Sequence, residues 1–392
     1  MIALASIVAK LPARANQVDF SHYYTSALLL REGVNPYRVD LTARASALGL
    51  NVSINPRATY PPTFILCFEP LTLMSPIHAY WTWIALNAFA MAVALAMLLG
   101  PRSHLDVTTA LSLAGFTILF PAFGDNFEYA QSQAIVLLLL AVAMRSLESG
   151  KDRAAGAALA IASLLRIFPV IMFGYLVMRR RWRALGFALA CLAIGSAITI
   201  GFVGFRTALD FRIAIAFVTG YGWLIRSSNV ALNAFIARMF IYIAGLPLSE
   251  MLDLARKVTE VACEIAMLGL TIVVSKAPPD SPGRDPDSRA FALWIVTTIM
   301  LAPTAWLHYL VLLFIPFAQI ISASSSGRAS SRSLTTTLAS ACVLTVPFFL
   351  IDTIRSALPQ SLKVFLLEAP FAALALAYLA TIWFVLDWRE TT

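Results

Sequence analysis

Three polar side chains in this apolar chain have the types that could act together on an anionic substrate. They are the acid in VDFSHYY, the arginine in LLRIFP and the histidine in TAWLHY, namely Asp19, Arg166 and His308. A carboxylate can take the proton of an attacking hydroxyl as a general base. An arginine and a protonated histidine can stabilise the negative charge that develops on a departing phosphate. This combination favours transfer of a group from a substrate that already carries a phosphate leaving group.

The sequence lacks the patterns of several other catalytic sites. The four histidines are scattered, and no HExxH or similar metal-ligand spacing occurs. No Walker A sequence, Rossmann glycine pattern or GxSxG elbow is found, so no ATP site is indicated. Four cysteines lie far apart in apolar segments without CxxC spacing, which favours small buried side chains over disulfides or metal ligands. They are Cys67, Cys191, Cys263 and Cys342.

Each of the three candidate residues also has a simpler structural interpretation. Asp19 could be the N-cap of a helix over residues 20–31, a role that is compatible with catalysis. Arg166 could extend to the membrane interface, and His308 could be a hydrogen-bonded structural histidine. Nearby aromatic side chains fit an interfacial belt as well as a platform for a sugar. These are Tyr23, Tyr24, Tyr60, Trp81 and Trp83.

The composition indicates what kind of protein positions these residues. Of 392 residues, 59% are hydrophobic and 13% are charged, and the mean hydropathy is +0.79. A soluble protein usually has about 25% charged residues, so most of this surface is expected to face lipid. The net charge of +8 fits basic cytoplasmic loops, and no basic soluble module suggests nucleic-acid binding. We therefore predict an all-α polytopic membrane protein.

Hydropathy predicts where the helices cross the membrane, since a span needs about 20 apolar residues. The clearest spans are 79–100, 106–122, 131–146, 184–204, 253–275, 305–322, 334–351 and 364–386, with a shorter one at 289–302. Residues 153–178 contain Arg166-Ile167-Phe168-Pro169, which predicts two short helices with Arg166 at the tip between them. The apolar stretch at the start of the chain is short, so we expect either a truncated first span or a true start codon that lies further upstream.

Basic residues predict the orientation of these helices. The loops 101–105, 147–153, 179–183, 276–288 and 323–333 hold eleven Lys and Arg residues, against three in the loops 123–130, 166–169 and 352–363. The positive-inside rule places the first set in the cytoplasm. Residues 10–78 and 205–252 then lie on the extracytoplasmic side. Residues 62–75 are apolar but short and interrupted by Glu69-Pro70, which favours a helix at the membrane surface.

No internal repeat is visible, so we predict one integral membrane domain over residues 1–392. Its parts are a first outer catalytic loop (10–78), a helical core (79–204), a second outer segment (205–252) and the C-terminal helices (253–392). Polar side chains close to the hydrocarbon are costly and are by default candidates for function. Further candidates on the outer face are Asn35, Tyr37, Tyr60, Gln131 and Asn233.

The order of several short motifs resembles glycosyltransferase family 87. The motifs are VDFSHYY, GVNPY, TYPPTFILCFEPL, AQSQAIVLLLL, ASLLRIFPVIM, RRRWRAL, NVALNAF and TAWLHYLVLLFIP, between about residues 18 and 320. The resemblance implies a GT-C-type enzyme with about 11 to 12 transmembrane helices and extracytoplasmic juxtamembrane helices. It also implies that Asp19, which stands directly before a phenylalanine, is the catalytic base. Asn35-Pro36-Tyr37 and Tyr60-Pro61-Pro62 match elements that shape the same loop.

Three further positions match the family with departures. Trp306-Leu307-His308 matches an element that places His308 near the phosphate or the base, and Tyr309 stands where a second histidine often follows. Arg166 takes the place of a common lysine and keeps its positive charge. The usual Gly-Gln-x-Asn element reads Ala130-Gln131-Ser132-Gln133 here.

The predicted function is therefore inverting transfer of a hexose, with mannose as first candidate, from a polyprenyl-phosphate sugar to an acceptor hydroxyl. Asp19 is the predicted base, and the predicted contacts to the donor or its phosphate are Arg166, His308, Gln131, Asn233, Tyr60, Asn35 and Tyr37. We expect no metal and no cofactor beyond the lipid-linked donor.

The expected partners are the lipid bilayer and a glycolipid or polysaccharide acceptor, and no nucleic acid. The expected location is the cell inner (plasma) membrane, with the active site on the extracytoplasmic face. The alternative is a transporter or flippase of lipid-linked sugars. A transporter should have discontinuous helices near the bilayer midplane and repeat symmetry.

Overall fold

A computed structural model describes residues 19–52, 56–99, 120–245, 248–276, 285–354 and 368–391. Within these ranges the chain is helical, apart from an isolated β-bridge between Asn229 and Trp306. The α-helices are α1 (Asp19–Arg31), α2 (Thr42–Ala47), α3 (Pro62–Phe68), α4 (Pro76–Leu99), α5 (Pro121–Glu128), α6 (Gln133–Glu148), α7 (Asp152–Leu165), α8 (Met172–Met178), α9 (Trp182–Val203), α10 (Phe205–Val218), α11 (Tyr221–Leu224), α12 (Leu232–Ala244), α13 (Glu250–Ser275), α14 (Asp285–Met300), α15 (Phe314–Ser325), α16 (Ser331–Ile354) and α17 (Ala369–Thr391). The same ranges contain 3-10 helices at Glu69–Leu73, Phe168–Ile171 and Leu307–Leu313.

Five of the described helical segments are long and apolar enough to cross a membrane, judged by length and composition. They are Pro76–Leu99, Trp182–Val203, Glu250–Ser275, Leu307–Ser325 and Ala369–Asp387. Large apolar side chains on these helices are exposed, including Phe202 and Ile265, as expected where the surface faces lipid. The predicted all-α polytopic membrane class is thus confirmed. The number of about 11 to 12 spans stays a prediction.

Some expected elements lie outside the described residues. They are the short first apolar stretch, the loop 101–105 and the span 106–122 up to residue 119. The spans expected at 131–146 and 334–351 correspond to the helices Gln133–Glu148 and Ser331–Ile354.

Contacts divide the chain into two compact units. The first unit comprises residues 1–96, 123–173 and 182–218, and the second comprises residues 97–122, 174–181 and 219–392. Both units therefore combine segments that are distant in the sequence. The single integral domain with four consecutive parts stays a prediction.

In the first unit, helix α7 packs against both α6 and α9. The contact between α7 and α9 is close because a glycine, Gly156, faces the backbone of α9. A Cβ atom at Gly156 would lie 2.3 Å from the carbonyl oxygen of Ala184. Small residues allow this kind of approach between membrane helices. Helix α1 packs against α3 and the 3-10 helix Glu69–Leu73, and its residues Phe20 to Leu29 are buried.

The predicted break within residues 153–178 is confirmed. Helix α7 ends at Leu165, and Arg166 follows with extended dihedral angles of φ −143° and ψ 125°. Pro169 does not itself end the helix, since it lies in the first turn of the 3-10 helix Phe168–Ile171. Proline is tolerated in a first turn because the N–H groups there have no helical partner. The chain therefore turns at Arg166, three residues before the proline.

The span expected at 305–322 corresponds to the apolar segment Leu307–Ser325 of the second unit. Within it, Leu307–Leu313 form a 3-10 helix and α15 begins only at Phe314. Pro316 explains the change, because it has no N–H to donate to the carbonyl of residue 312 and fits best in the first turn of a new helix. The segment Leu307–Leu313 is buried throughout.

Candidate active site

Asp19 is the first described residue of α1 and is half-buried. Its Oδ2 atom accepts a hydrogen bond from Nε2 of Gln131. Within the described residues this is the hydrogen bond that the Asp19 side chain makes. The Oδ1 atom is therefore the one that can meet the proton of a substrate hydroxyl.

Gln131 connects this carboxylate to a buried cation. Its side-chain oxygen Oε1 accepts hydrogen bonds from Nη2 of Arg166 at 3.0 Å and from the hydroxyl of Tyr23 at 3.1 Å. Burial raises the pKa of Tyr23 above its ordinary value, so its hydroxyl keeps its proton and can donate. The two ends of the amide cannot be exchanged, because arginine only donates hydrogen bonds and a carboxylate only accepts them.

The guanidinium group of Arg166 makes hydrogen bonds along its edge and contacts aromatic rings on its face. Its Nε donates to Oγ of Ser132 at 2.8 Å, and its Nη2 also donates to the hydroxyl of Tyr23 at 3.2 Å. The guanidinium carbon lies 4.7 Å from the ring centre of Tyr60 and 5.4 Å from that of Phe64. Such cation–π contacts stabilise a desolvated arginine. The side chain is 8% exposed, so it does not extend to an interface as the simpler interpretation supposed.

A tight turn after α5 places Gln131. The N–H of Gln131 donates to the carbonyl of Asn126 at 2.7 Å, and the N–H of Ala130 donates to that of Phe127 at 3.0 Å. This pair of hydrogen bonds is the Schellman motif that ends many helices, and its turning residue usually is glycine. Here Ala130 adopts the left-handed conformation with φ +52°. The indole N–H of Trp83 donates to the carbonyl of Ala130 at 2.8 Å and secures the turn.

Aromatic rings support Tyr23 on its other side. The rings of Tyr60, Phe64, Phe68 and Trp83 all meet the Tyr23 ring edge to face, with centres 4.5 to 6.1 Å away. Tyr23, Tyr60 and Trp83 are buried, which corrects both the interfacial-belt and the open-platform interpretations for these three side chains. Their rings hold the hydroxyl of Tyr23 and the plane of Arg166 in position.

Asn35 and Tyr37 use their polar groups to brace the first loop. Asn35 accepts a hydrogen bond from the N–H of Tyr37 at 3.1 Å and donates to Asp210 of α10 at 2.9 Å. The hydroxyl of Tyr37 donates to the carbonyl of Tyr60 at 2.6 Å. These contacts give both residues a structural role, and their contact with a donor stays a prediction.

Sequence reasoning missed Asp210, which is buried and forms a two-pronged ion pair with Arg38. Hydrogen bonds from Arg38, and then from Asn35, hold the pKa of the Asp210 carboxyl below its ordinary value. Its place in an unremarkable helical stretch gave no signal, because the partner lies 172 residues earlier.

His308 and Asn233 belong to the second unit. His308 is buried in the 3-10 helix Leu307–Leu313, with its ring centre 5.2 Å from that of Tyr309. Asn233 is on α12 and donates to the carbonyl of Pro303 at 3.1 Å. The structure thus brings Asp19, Tyr60, Gln131 and Arg166 together in one unit, and the roles of His308 and Asn233 stay predictions.

The segment before His308 is secured by a buried ion pair that sequence reasoning also missed. Arg238 of α12 binds both carboxylate oxygens of Glu368 at 2.6 and 2.7 Å. It also donates to the carbonyl of Asn229 at 2.8 Å. The side-chain oxygen of Asn229 in turn accepts from the N–H of Ala305 at 3.0 Å, next to the bridge with Trp306.

The described residues contain no group of three or more His, Cys, Asp and Glu side chains that could hold a metal ion. The four cysteines are free, as predicted. The prediction that they are buried is wrong for Cys67 and Cys342, which are exposed. In a membrane protein, the hydrophobic side chains of an apolar segment can contact lipid instead of packing in a protein core.

Comparison with known proteins identifies the family of this chain. The family model for Glycosyltransferase family 87 matches residues 58–303, which include Tyr60, Gln131, Arg166 and Asn233. Searches of curated proteins and of solved structures find no significant match. Because the family model covers more than half of the chain, this protein belongs to glycosyltransferase family 87 and is a glycosyltransferase of the membrane.

Proposed function

We propose that the enzyme transfers a hexose, with mannose as first candidate, from a polyprenyl-phosphate donor to an acceptor hydroxyl with inversion. The observation that carries this proposal is the half-buried Asp19 carboxylate, whose Oδ2 is held by Gln131. A general base needs a fixed orientation and an accessible oxygen. Gln131 supplies the fixed orientation, and the partial exposure of Asp19 supplies the access.

The reaction needs one proton transfer and one displacement at the sugar. Asp19 takes the proton of the acceptor hydroxyl, and the acceptor oxygen forms a bond to C1 of the hexose. The bond between C1 and the phosphate oxygen breaks, and polyprenyl phosphate leaves with the electron pair. Attack opposite the leaving group inverts the configuration, so a β-linked donor gives an α-linked product.

The departing phosphate needs positive charge. Arg166 and His308 are the two candidate groups for it that the motifs suggest, and Arg166 has its Nε and Nη2 groups engaged with protein. His308 and Asn233 stay proposed donor contacts on the strength of the sequence motifs alone. A single phosphate can be neutralised by protein cations, so the proposal includes no metal. Transfer that disappears with a chelator and returns with Mg²⁺ or Mn²⁺ would contradict this part.

The location follows from the same proposal. We propose that transfer takes place on the extracytoplasmic side of the cell inner membrane, and the basic loops support that side for residues 10–78. The acceptor is then a glycolipid or polysaccharide of the cell envelope.

The test uses the purified protein in liposomes with radiolabelled polyprenyl-phosphate mannose and a glycolipid extract of the cell envelope. We expect Asp19→Asn and Asp19→Ala to reduce product formation by about 100- to 10,000-fold, because removal of a general base removes the proton acceptor. Transfer that survives both substitutions would exclude Asp19 as the base. Movement of the donor across the bilayer without any transfer would instead favour a flippase. Comparing product formation from polyprenyl-phosphate mannose, glucose and arabinofuranose in the same assay identifies the donor sugar.

A further inference from the structure

We propose that Gln131 and Arg166 are positioning residues that orient the Asp19 carboxylate, with Arg166 acting on Asp19 through the Gln131 amide. This inference rests on the proposed function, because it concerns the base of that reaction. It assigns Arg166 a task that differs from direct binding of the donor phosphate.

The first support is the direction of the hydrogen bonds. Arg166 and Tyr23 both donate to Oε1 of Gln131, and Nε2 of Gln131 donates to Oδ2 of Asp19. A neutral side chain that accepts at one end and donates at the other can link a cation to an anion in this way. A glutamate at this position would instead bring a second carboxylate against Asp19, and an aliphatic side chain would offer neither group.

The second support is burial. Gln131 is 1% exposed and Arg166 is 8% exposed, and Tyr23 is fully buried. Hydrogen bonds that are shielded from water polarise one another and hold their geometry more strongly than exposed ones. Only Asp19, at the end of the series, is half-buried and can meet a substrate.

The third support is that Arg166 cannot easily turn towards another ligand. Ser132 fixes its Nε, and the ring of Tyr60 lies against its guanidinium plane. The hydroxyl of Tyr23 accepts from Arg166 and donates to Gln131, which closes a triangle of three hydrogen bonds. Rotation of the Gln131 amide by 180° would turn its NH₂ group towards two donors, so the triangle keeps Nε2 directed at Asp19.

A double-mutant cycle tests the inference. The variants are Gln131→Met, Arg166→Met and the double variant, assayed in liposomes with polyprenyl-phosphate mannose. We expect each single change to lower kcat by about 10- to 100-fold, the effect of losing a hydrogen bond to a charged group, with little change in the KM for the donor. The kcat of the double variant should be no lower than that of the less active single variant, because both changes interrupt the same connection.

Two milder variants keep the test valid if Arg166→Met does not fold. Tyr23→Phe removes one hydroxyl from the triangle and keeps the packed ring, so kcat should fall several-fold with the KM unchanged. Gln131→Glu is almost the same size, and its carboxylate should move the acidic limb of the pH–rate profile to higher pH by about one unit, since neighbouring carboxylates resist ionising together. A structural role alone would not move that limb.

Gln319→Met is the matched control. Gln319 lies on α15 in the second unit, and its Nε2 donates to Oγ of Ser288 at 2.6 Å. The same substitution there should leave kcat, KM and the pH–rate profile unchanged.

Three results separate the possible failures. Arg166→Met with a raised donor KM and an unchanged kcat would overturn the inference in favour of direct phosphate binding. Losses that multiply in the double variant would overturn the connection through Gln131. Asp19→Asn with full activity would overturn the proposed base itself, whatever the cycle shows.

Discussion

Ala130 is the turning residue of the Schellman motif that places Gln131, and it adopts a conformation in which glycine is favoured. Its φ of +52° puts the Cβ atom close to the following carbonyl oxygen, which costs about 1–2 kcal/mol in an L-residue. Replacing Ala130 with glycine removes this strain but adds about 0.5–1 kcal/mol of entropy to the unfolded chain. We therefore expect Ala130→Gly to stabilise the fold by about 0.5–1 kcal/mol.

The chain contains a reciprocal control for this change. Gly150 ends helix α6 with the same motif: its N–H donates to the carbonyl of Leu147, and the N–H of Lys151 donates to that of Ser146. Gly150 has φ +70°, and a Cβ atom there would meet nothing within 4 Å. Gly150→Ala therefore introduces backbone strain without a steric clash. It should destabilise the protein by about the amount that Ala130→Gly stabilises it.

The assay is thermal unfolding of the purified protein in one detergent, followed by intrinsic tryptophan fluorescence. For a chain of this size we expect Ala130→Gly to raise Tm by about 1–3 °C and Gly150→Ala to lower it by a similar amount. The reasoning fails if Gly150→Ala destabilises as expected while Ala130→Gly also destabilises. Contacts of the Ala130 methyl group would then outweigh the backbone strain.

Three further changes test other contacts. Because Arg38 and Asn35 lower the pKa of Asp210, the ionised carboxylate stabilises the fold at neutral pH, and this stabilisation is lost as the pH falls through the lowered pKa. The Tm of the unaltered protein should therefore exceed that of Asp210→Asn by the largest amount at pH 7, and this difference should shrink below about pH 4. A difference in Tm that does not depend on pH would contradict the ion pair. Gly156→Val should destabilise by about 1–3 kcal/mol in chemical unfolding, since its Cβ would lie 2.3 Å from the carbonyl oxygen of Ala184. Gly186→Val, on the open side of α9, should cost much less. Arg238→Met should cost about 3–5 kcal/mol because it leaves Glu368 buried without its cation, and Arg238→Met with Glu368→Leu should recover part of that loss.

The elements that the sequence predicted well are those with a local signal. The break at Arg166, the short helix beginning at Pro62 and the long apolar helices all follow from hydropathy or proline within a few residues. The change from 3-10 to α-helix at Phe314 also has a local cause in Pro316, but a hydropathy profile does not distinguish the two kinds of helix. Apolar content alone therefore predicted one span where the backbone has two parts.

The contacts that the sequence did not predict join residues that are far apart along the chain. Arg38 and Asp210 are separated by 172 residues, and Arg238 and Glu368 by 130. Each partner taken alone looks like an ordinary charged residue in a loop or helix, so no local pattern indicates the pair. Gln131 and Arg166 were recognised as candidates one at a time. The hydrogen bonds that make Gln131 a link between Arg166 and Asp19 were not predicted, because they join residues that are far apart along the chain.

Asp19 lies outside the residues that the family model matches, which are 58–303. Its place in the site therefore depends on contacts rather than on the match. Gln131, which donates to Asp19, and Arg166, which donates to Gln131, both lie within the matched residues. The pocket of aromatic rings around Tyr23 is built by matched residues as well, from Tyr60 to Trp83. A segment that precedes the match thus inserts its carboxylate at the end of a hydrogen-bonded series that the matched residues supply.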